Sequence, residues 1–206
     1  MSNQTANPDS GPALVRRATH LAYLTVTYNA FEALVAIISG ILAGSVALTG
    51  FGLDSLIEIA SALAILWRFG SLAHEHEQAE SQAVKFVGAT FFALAAYVSY
   101  HAIGDLWFRR PPSFSLPGLA IAGLSIIIMP ILGLAKRRLA TRLASRALAA
   151  DAAETLLCSY LSAALLLGLL ANGLLGWWWA DPVAALCMVP YMVWEGLEAF
   201  EEESRG

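Results

Sequence analysis

Six apolar runs, each long enough to cross a membrane as a helix, follow one another with little between them: about 21–43, 46–67, 85–108, 116–135, 147–174 and 179–198. One crossing needs about 20 apolar residues at about 1.5 Å of rise each. Lipid offers backbone N–H and C=O groups no partners, so consecutive runs of this kind are expected to be helices bonded within themselves. The expected fold is all-α, a six-helix transmembrane bundle forming one domain over 1–206. Turn residues mark the joints: "GS" after the first run, "RRPPSFSLPG" after the third, "NGLLG" after the fifth. The longest remaining loops are 68–84, rich in His and Glu, and the basic stretch "KRRLATRLASR" of 136–146, which leaves no room for a soluble domain.

Composition agrees. The chain is 58% hydrophobic and 14% charged, against about 25% charged in ordinary soluble domains. Cys158 and Cys187 both lie in apolar runs and form neither a disulfide pattern nor a zinc-finger spacing. The polar start "MSNQTANPDSGPALVRR" is not a signal peptide, because the apolar run after it is long and lacks a small-residue cleavage site. No feature points to nucleic acid as a partner; the lipid bilayer is one.

Basic residues set the expected orientation. With the N-terminus inside, the inner side holds Arg16, Arg17, Arg68, Lys85, Lys136, Arg137, Arg138, Arg142, Arg146 and Arg205, and the outer side only Arg109 and Arg110. Cytoplasmic loops carry the excess of Lys and Arg, so a cell-membrane protein with both termini cytoplasmic is expected. Trp67 and Trp194 then fall at inner ends, and Trp107 and Trp177 to Trp179 at outer ends, at headgroup level.

Carboxylates interrupt the apolar runs. Glu32, Asp54, Glu58 and Glu154 lie well inside the spans, Asp151 lies near the inner boundary of the fifth, and no Lys or Arg is read at comparable depth. A charge at the centre of a span costs about 2.5–3.5 kcal/mol, so four such acids represent about ten kcal/mol without an internal cation. They must be protonated, reach water or hold a cation. Asp54 and Glu58 stand at i and i+4 on one helix face, and Asp151, Glu154 and Cys158 at i, i+3 and i+7 share a face of the fifth span. Measured from the inner boundary, Glu58 and Asp54 lie roughly 13 and 19 Å deep, and Glu154 and Cys158 roughly 10 and 16 Å. Facing each other, these two helices would close a site of three carboxylates and one thiolate, Asp54, Glu58, Glu154 and Cys158. Such a donor set suits a divalent transition metal such as zinc. The other reading of Cys158 is a buried inert thiol. Glu32 shares a face with Thr25 and Asn29 and is read either as a member of the site or as part of a structural polar cluster.

These residues resemble the cation diffusion facilitator family of metal transporters, from about residue 16 to 203. "GSVALTGFGLDSLIEIAS" resembles that family's second span, where two residues four apart supply half of the transport site. "ALAADAAETLLCSYLSAALLLGLLANGLLGWWWADPVAAL" resembles its fifth span and the start of its sixth, usually A-D-A-x-H-x-x-x-D and then a run to Asp-Pro. "HEQAES", residues 76–81, resembles the H-G-K-A-E-S stretch after the second span. Glu154 stands where the family has His and Cys158 where it has Asp, so the family's metal preference does not transfer. Asp151 matches an acid that the family keeps but does not generally use as a ligand. The family's usual cytoplasmic C-terminal domain is not expected after "EGLEAFEEESRG", which leaves a homodimer open.

The resemblance implies export of a divalent metal in exchange for protons, with the metal as transported substrate, no permanently bound cofactor, and no enzymatic activity. The donors support the exchange on their own account, since carboxylates and a thiol bind metal only when deprotonated. Ser61, Ala62, Ser159, Ser162 and Ala163 would let helices approach closely. His74, Glu75, His76 and Glu77 read as a solvated loop or as a station that gathers metal; His101 and Asp105 read as an interfacial pair or an exit station. Met129-Pro130 reads as a kink. The rivals are an intramembrane aspartyl protease, whose Tyr-Asp half is absent, and a membrane metal-binding or accessory protein that does not transport.

Overall fold

The computed structural model describes residues 10–70 and 77–204, with the side chains of 10, 11, 64, 65, 67–70, 77–87, 146, 147, 150 and 199–204 left undescribed. Its elements are α1 (Ser10–Ala43), α2 (Val46–Gly70), α3 (Glu77–Phe108), α4 (Leu116–Leu143), α5 (Arg146–Leu175) and α6 (Ala180–Ser204), with no strand among the described residues. Local chemistry sets the joints. Ser115 caps α4 by accepting from Gly118 N at 3.1 Å, with Pro117 in the first turn. Two residues join α4 to α5: Ala144 ends α4 in the left-handed region at φ 48°, and Ser145 caps α5 by accepting from Leu148 N at 3.3 Å. The α4 helix continues through Pro130 and α6 through Pro190.

The α1–α2 turn is tied to α6. Ser45 Oγ accepts from Leu48 N at 3.0 Å and donates to Asp181 in the first turn of α6. The other Asp181 oxygen accepts from Val46 N at 3.1 Å and Ala47 N at 3.4 Å. A buried carboxylate thus satisfies the open N–H groups at the start of α2 and meets the positive end of its dipole. The aspartate of the Asp-Pro pair is therefore a helix cap here.

Helices α1 and α2 pack closely, as do α4 and α5 and α3 and α6; α2 also touches α3, α5 and α6, which makes it central. Glycine permits the tightest approaches. A Cβ on Gly52 would stand 2.7 Å from Ile37 Cγ1 and 2.9 Å from Ile37 N across the α1–α2 contact, and one on Gly133 would stand 2.6 Å from Leu156 Cγ across α4–α5. The outside is apolar: Leu42 is 80% exposed, Leu167 68% and Ile131 64%. Loss to water on this scale is tolerated only where lipid covers the surface. By length and composition, four stretches among the described residues can cross a membrane: Pro12–Ala43, Val46–Leu63, Leu116–Leu143 and Asp151–Leu175. Helices α3 and α6 fall below that threshold, α6 carrying Asp181, Glu195 and Glu198, but pack into the same bundle.

The helices run past the apolar runs. The basic stretch 136–146 is not a loop; most of it forms the last two turns of α4, and residues 77–84 belong to α3. Backbone hydrogen bonding continues where hydropathy stops, so the polar ends of spanning helices had looked like loops. Lys136 in particular leaves the loop and enters the protein interior, where it is fully buried.

Candidate metal site

Four helices bring polar side chains to one buried centre. α2 supplies Asp54, Ser55 and Glu58; α5 supplies Asp151, Glu154, Thr155 and Cys158; α1 supplies Thr25, Asn29 and Glu32; α4 supplies Ser125 and Lys136. All are buried. Apolar residues enclose them, among them Phe51, Met129, Leu161 and Met192. Such a dry setting strengthens each electrostatic interaction and makes an unpaired polar atom expensive.

The centre divides into two linked groups. In the first, Glu32 is fully bonded: Ser55 Oγ donates to Oε1 at 2.8 Å and Ser125 Oγ to Oε2, with Tyr28 OH 2.7 Å from Ser125 Oγ. Cys158 Sγ lies 4.0 Å from Glu32 Oε1. In the second, Lys136 Nζ pairs with Asp151 Oδ2 at 2.8 Å and donates to Thr155 Oγ1 at 2.9 Å. Thr155 Oγ1 donates in turn to Glu58 Oε1 at 2.7 Å. The reading that no internal cation offsets the acids is thereby corrected: Lys136 does so for Asp151 and reaches Glu58 through one hydroxyl. It sits in the stripe Met129, Leu132, Gly133, Lys136, Leu139 and Ala140, all buried, while Arg137, Arg138 and Arg142 point away. That helical spacing was the available signal.

What remains, among the described residues, are polar atoms that this network does not reach. Glu58 Oε2, Glu154 Oε1 and the Asn29 side-chain amide are buried with no hydrogen-bond partner among the described residues. Asp54 interacts electrostatically with Glu58, Glu32 and Glu195, and Glu154 with Glu58, Asp151 and Glu195. Cys158 interacts with Glu58, Glu32 and Asp54. The four expected ligands therefore share one neighbourhood across α2 and α5. As arranged, no three His, Cys, Asp or Glu among the described residues stand close enough to hold an ion together. A cation taken up here requires the side chains to close on it.

The sequence reading had not foreseen Ser125, Thr155 and Lys136. Glu32 belongs to the same centre, bonded by hydroxyls from two helices. His101 and Asp105 stand apart, lining a cavity of about 300 Å³ at the α1–α2 turn with Thr49 and Arg110. The His101 ring packs on Tyr97 at 4.5 Å between centroids. His74, Glu75 and His76 lie outside the described residues, and the side chain of Glu77 is likewise undescribed.

Comparison with known proteins places this geometry in context. The family model described as the cation efflux transmembrane domain matches residues 22–205. An uncharacterized transporter of Synechocystis sp. is 28% identical over 167 residues, covering 77% of this chain and 54% of that protein. Transmembrane protein 163 of Xenopus laevis is 25% identical over 167 residues, covering 81% of this chain and 59% of that protein. The chain thus spans little more than half the length of these curated relatives.

Proposed function

The chain belongs to the cation efflux family, and on that premise we propose that it carries a divalent transition metal, zinc or a similar ion, across the membrane in exchange for protons. Asp54 and Glu58 on α2 and Glu154 and Cys158 on α5 are the proposed ligands. One observation carries the proposal most: Glu58 Oε2 and Glu154 Oε1, on α2 and α5, are buried acceptors with no well-formed hydrogen bond among the described residues, with only Asn29 and Ser61 near enough to contribute. Leaving a charged acceptor so costs several kcal/mol at least (roughly 1–3 for a neutral one). A divalent ion or protons would relieve that cost, and they compete for the same atoms.

Exchange follows from that competition. On the side where metal is abundant it displaces protons from the carboxylates; on the side where protons are abundant they displace metal. Alternation is proposed to come from rocking of helices about a fixed site. The excess of Lys and Arg at the α4–α5 end supports a cytoplasmic location for that end and for both termini; export as the direction rests on the family alone.

The alternative is a membrane metal-binding or accessory protein that does not transport. The spacing of the acids favours it in one respect, since no three stand at ligand distance. Reconstitution in proteoliposomes separates the two. Wild-type protein should couple metal uptake to proton release, and Asp54→Ala should abolish the coupled flux at unchanged expression. Metal binding without flux in the wild type would select the accessory reading, and unchanged flux in Asp54→Ala would remove Asp54 from the site.

A further inference from the structure

At the far end of the bundle from the α1–α2 turn, α1 and α4 enclose a cavity of about 400 Å³ lined by Arg17, His20, Arg138 and Arg142. Its floor is apolar, from Leu21 and Leu139. The proposed transport function leaves this cavity without a role. Arg17 and His20 are one turn apart on α1, and Arg138 and Arg142 one turn apart on α4, so two cationic faces meet across a groove. None of the three arginines is ion-paired to a carboxylate among the described residues. Three permanent positive charges gathered around one opening repel one another, and an anion removes that repulsion. Guanidinium groups present planar forks of donors that match phosphate oxygens.

Depth and surroundings identify the anion. Arg17 lies 26 residues from the end of α1 at Ala43, roughly 39 Å along the helix, and Arg138 lies 22 residues from Leu116, roughly 33 Å. With a hydrocarbon layer about 30 Å thick, the cavity sits at headgroup level of the leaflet at that end. Each wall continues directly into exposed apolar surface. On α1 the face of Arg17 and His20 leads to Leu24 and Phe31; on α4 the face of Arg142 and Arg138 leads to Leu134, Ile131 and Ile127. A basic pocket that opens onto a greasy stripe fits an amphiphile with one end in each. We infer that this cavity binds the phosphate of an anionic phospholipid headgroup, whose acyl chains lie along the exposed faces of α1 and α4. The shared chemistry is phosphate, which a soluble phosphate ion could also supply. The apolar stripe favours the lipid source.

The test uses the full chain in detergent, titrated with dioleoylphosphatidylglycerol, dioleoylphosphatidylcholine or inorganic phosphate, with binding read by native mass spectrometry and thermal unfolding. The wild type should prefer phosphatidylglycerol to phosphatidylcholine. Arg138→Gln with Arg142→Gln should weaken phosphatidylglycerol binding about thirtyfold, two basic contacts having been removed. Arg109→Gln with Arg110→Gln, at the opposite end, should leave it unchanged. Arg138→Lys with Arg142→Lys should recover part of the loss, which excludes a folding defect as its cause. Equal loss in the Arg109 and Arg110 variant, or none in the Arg138 and Arg142 variant, overturns the assignment. Inorganic phosphate that protects as well as phosphatidylglycerol overturns the lipid source. The outcome does not depend on whether the protein transports metal.

Discussion

Asp151 and Glu154 stand one turn apart on α5, both buried, and meet opposite circumstances. Asp151 faces α4 and receives Lys136 at 2.8 Å. Glu154 interacts with Glu58, Asp151 and Glu195, all acids; Ser61 is its one hydrogen-bonding neighbour, and its Oε1 has no donor among the described residues. Glu32, on α1, offers a third case, in which hydroxyls of Ser55 and Ser125 reach both carboxylate oxygens. The difference teaches how to separate structural acids from those that wait for a ligand. A carboxylate supplied with its own cation or donors is complete. One whose neighbours are other acids stays buried only with something added from outside. On this argument we propose that Asp151, through Lys136, and Glu32, through its hydroxyl donors, shape the centre, and that Glu154, with Glu58 beside it, is the acid left for a cation.

The largest effect that can break this contrast is expected at Lys136. Replacing it by Met strands Asp151 as a buried charge and should destabilise the protein by about 3–5 kcal/mol, read by thermal unfolding in detergent. Lys136→Met with Asp151→Leu should restore most of that loss. A single variant as stable as the double one would mean that the pair does not hold Asp151.

Glu154→Gln should do the reverse. It is expected to leave the protein at least as stable, since a buried acid without a cation is removed, while weakening metal binding about a hundredfold, or about 2.7 kcal/mol, measured by calorimetry with a panel of divalent ions. In the wild type the apparent metal affinity should fall as pH falls, because protons and metal share the ligand atoms. An affinity flat between pH 6 and 8, with matched loss of stability in Glu154→Gln, would make Glu154 structural.

Smaller effects sharpen the comparison. Ser125→Ala leaves Glu32 Oε2 without its donor and should cost about 1–3 kcal/mol of stability with little change in metal affinity. A large loss of affinity instead would move Glu32 among the ligands. Ser45→Ala should cost about 1 kcal/mol, the ordinary value of an N-cap, and leave metal binding untouched.

The starts of α2 and α4 were legible because their punctuation is local. Gly44 and Ser45 open α2, and Ser115 with Pro117 opens α4, through bonds made within a few residues. The far ends of the helices were not, since apolar patterning fades at the interface while the backbone ladder continues to Leu143 in α4 and begins at Glu77 in α3. That α2 touches α5 agrees with the expectation drawn from the two i-spaced acid groups, although α2 packs mainly on α1 and α5 mainly on α4. Lys136 escaped because it stands beside Arg137 and Arg138 in the chain but shares a face with Met129 and Leu132. Ser125 and Thr155 carry no charge, and only the packing of α4 and α5 shows which carboxylate each one serves.

The Asp181 clasp on the start of α2 has a mechanical consequence. A rod hung from its tip moves least near the hanger and most at the free end. Asp54 is nine residues below Ser45 and Glu58 thirteen, roughly 14 and 20 Å along the helix. Any swing of α2 about that tether carries Glu58 through an arc roughly 1.4 times as long as that of Asp54. Of the two α2 acids, Glu58 would therefore travel further than Asp54 in any such swing.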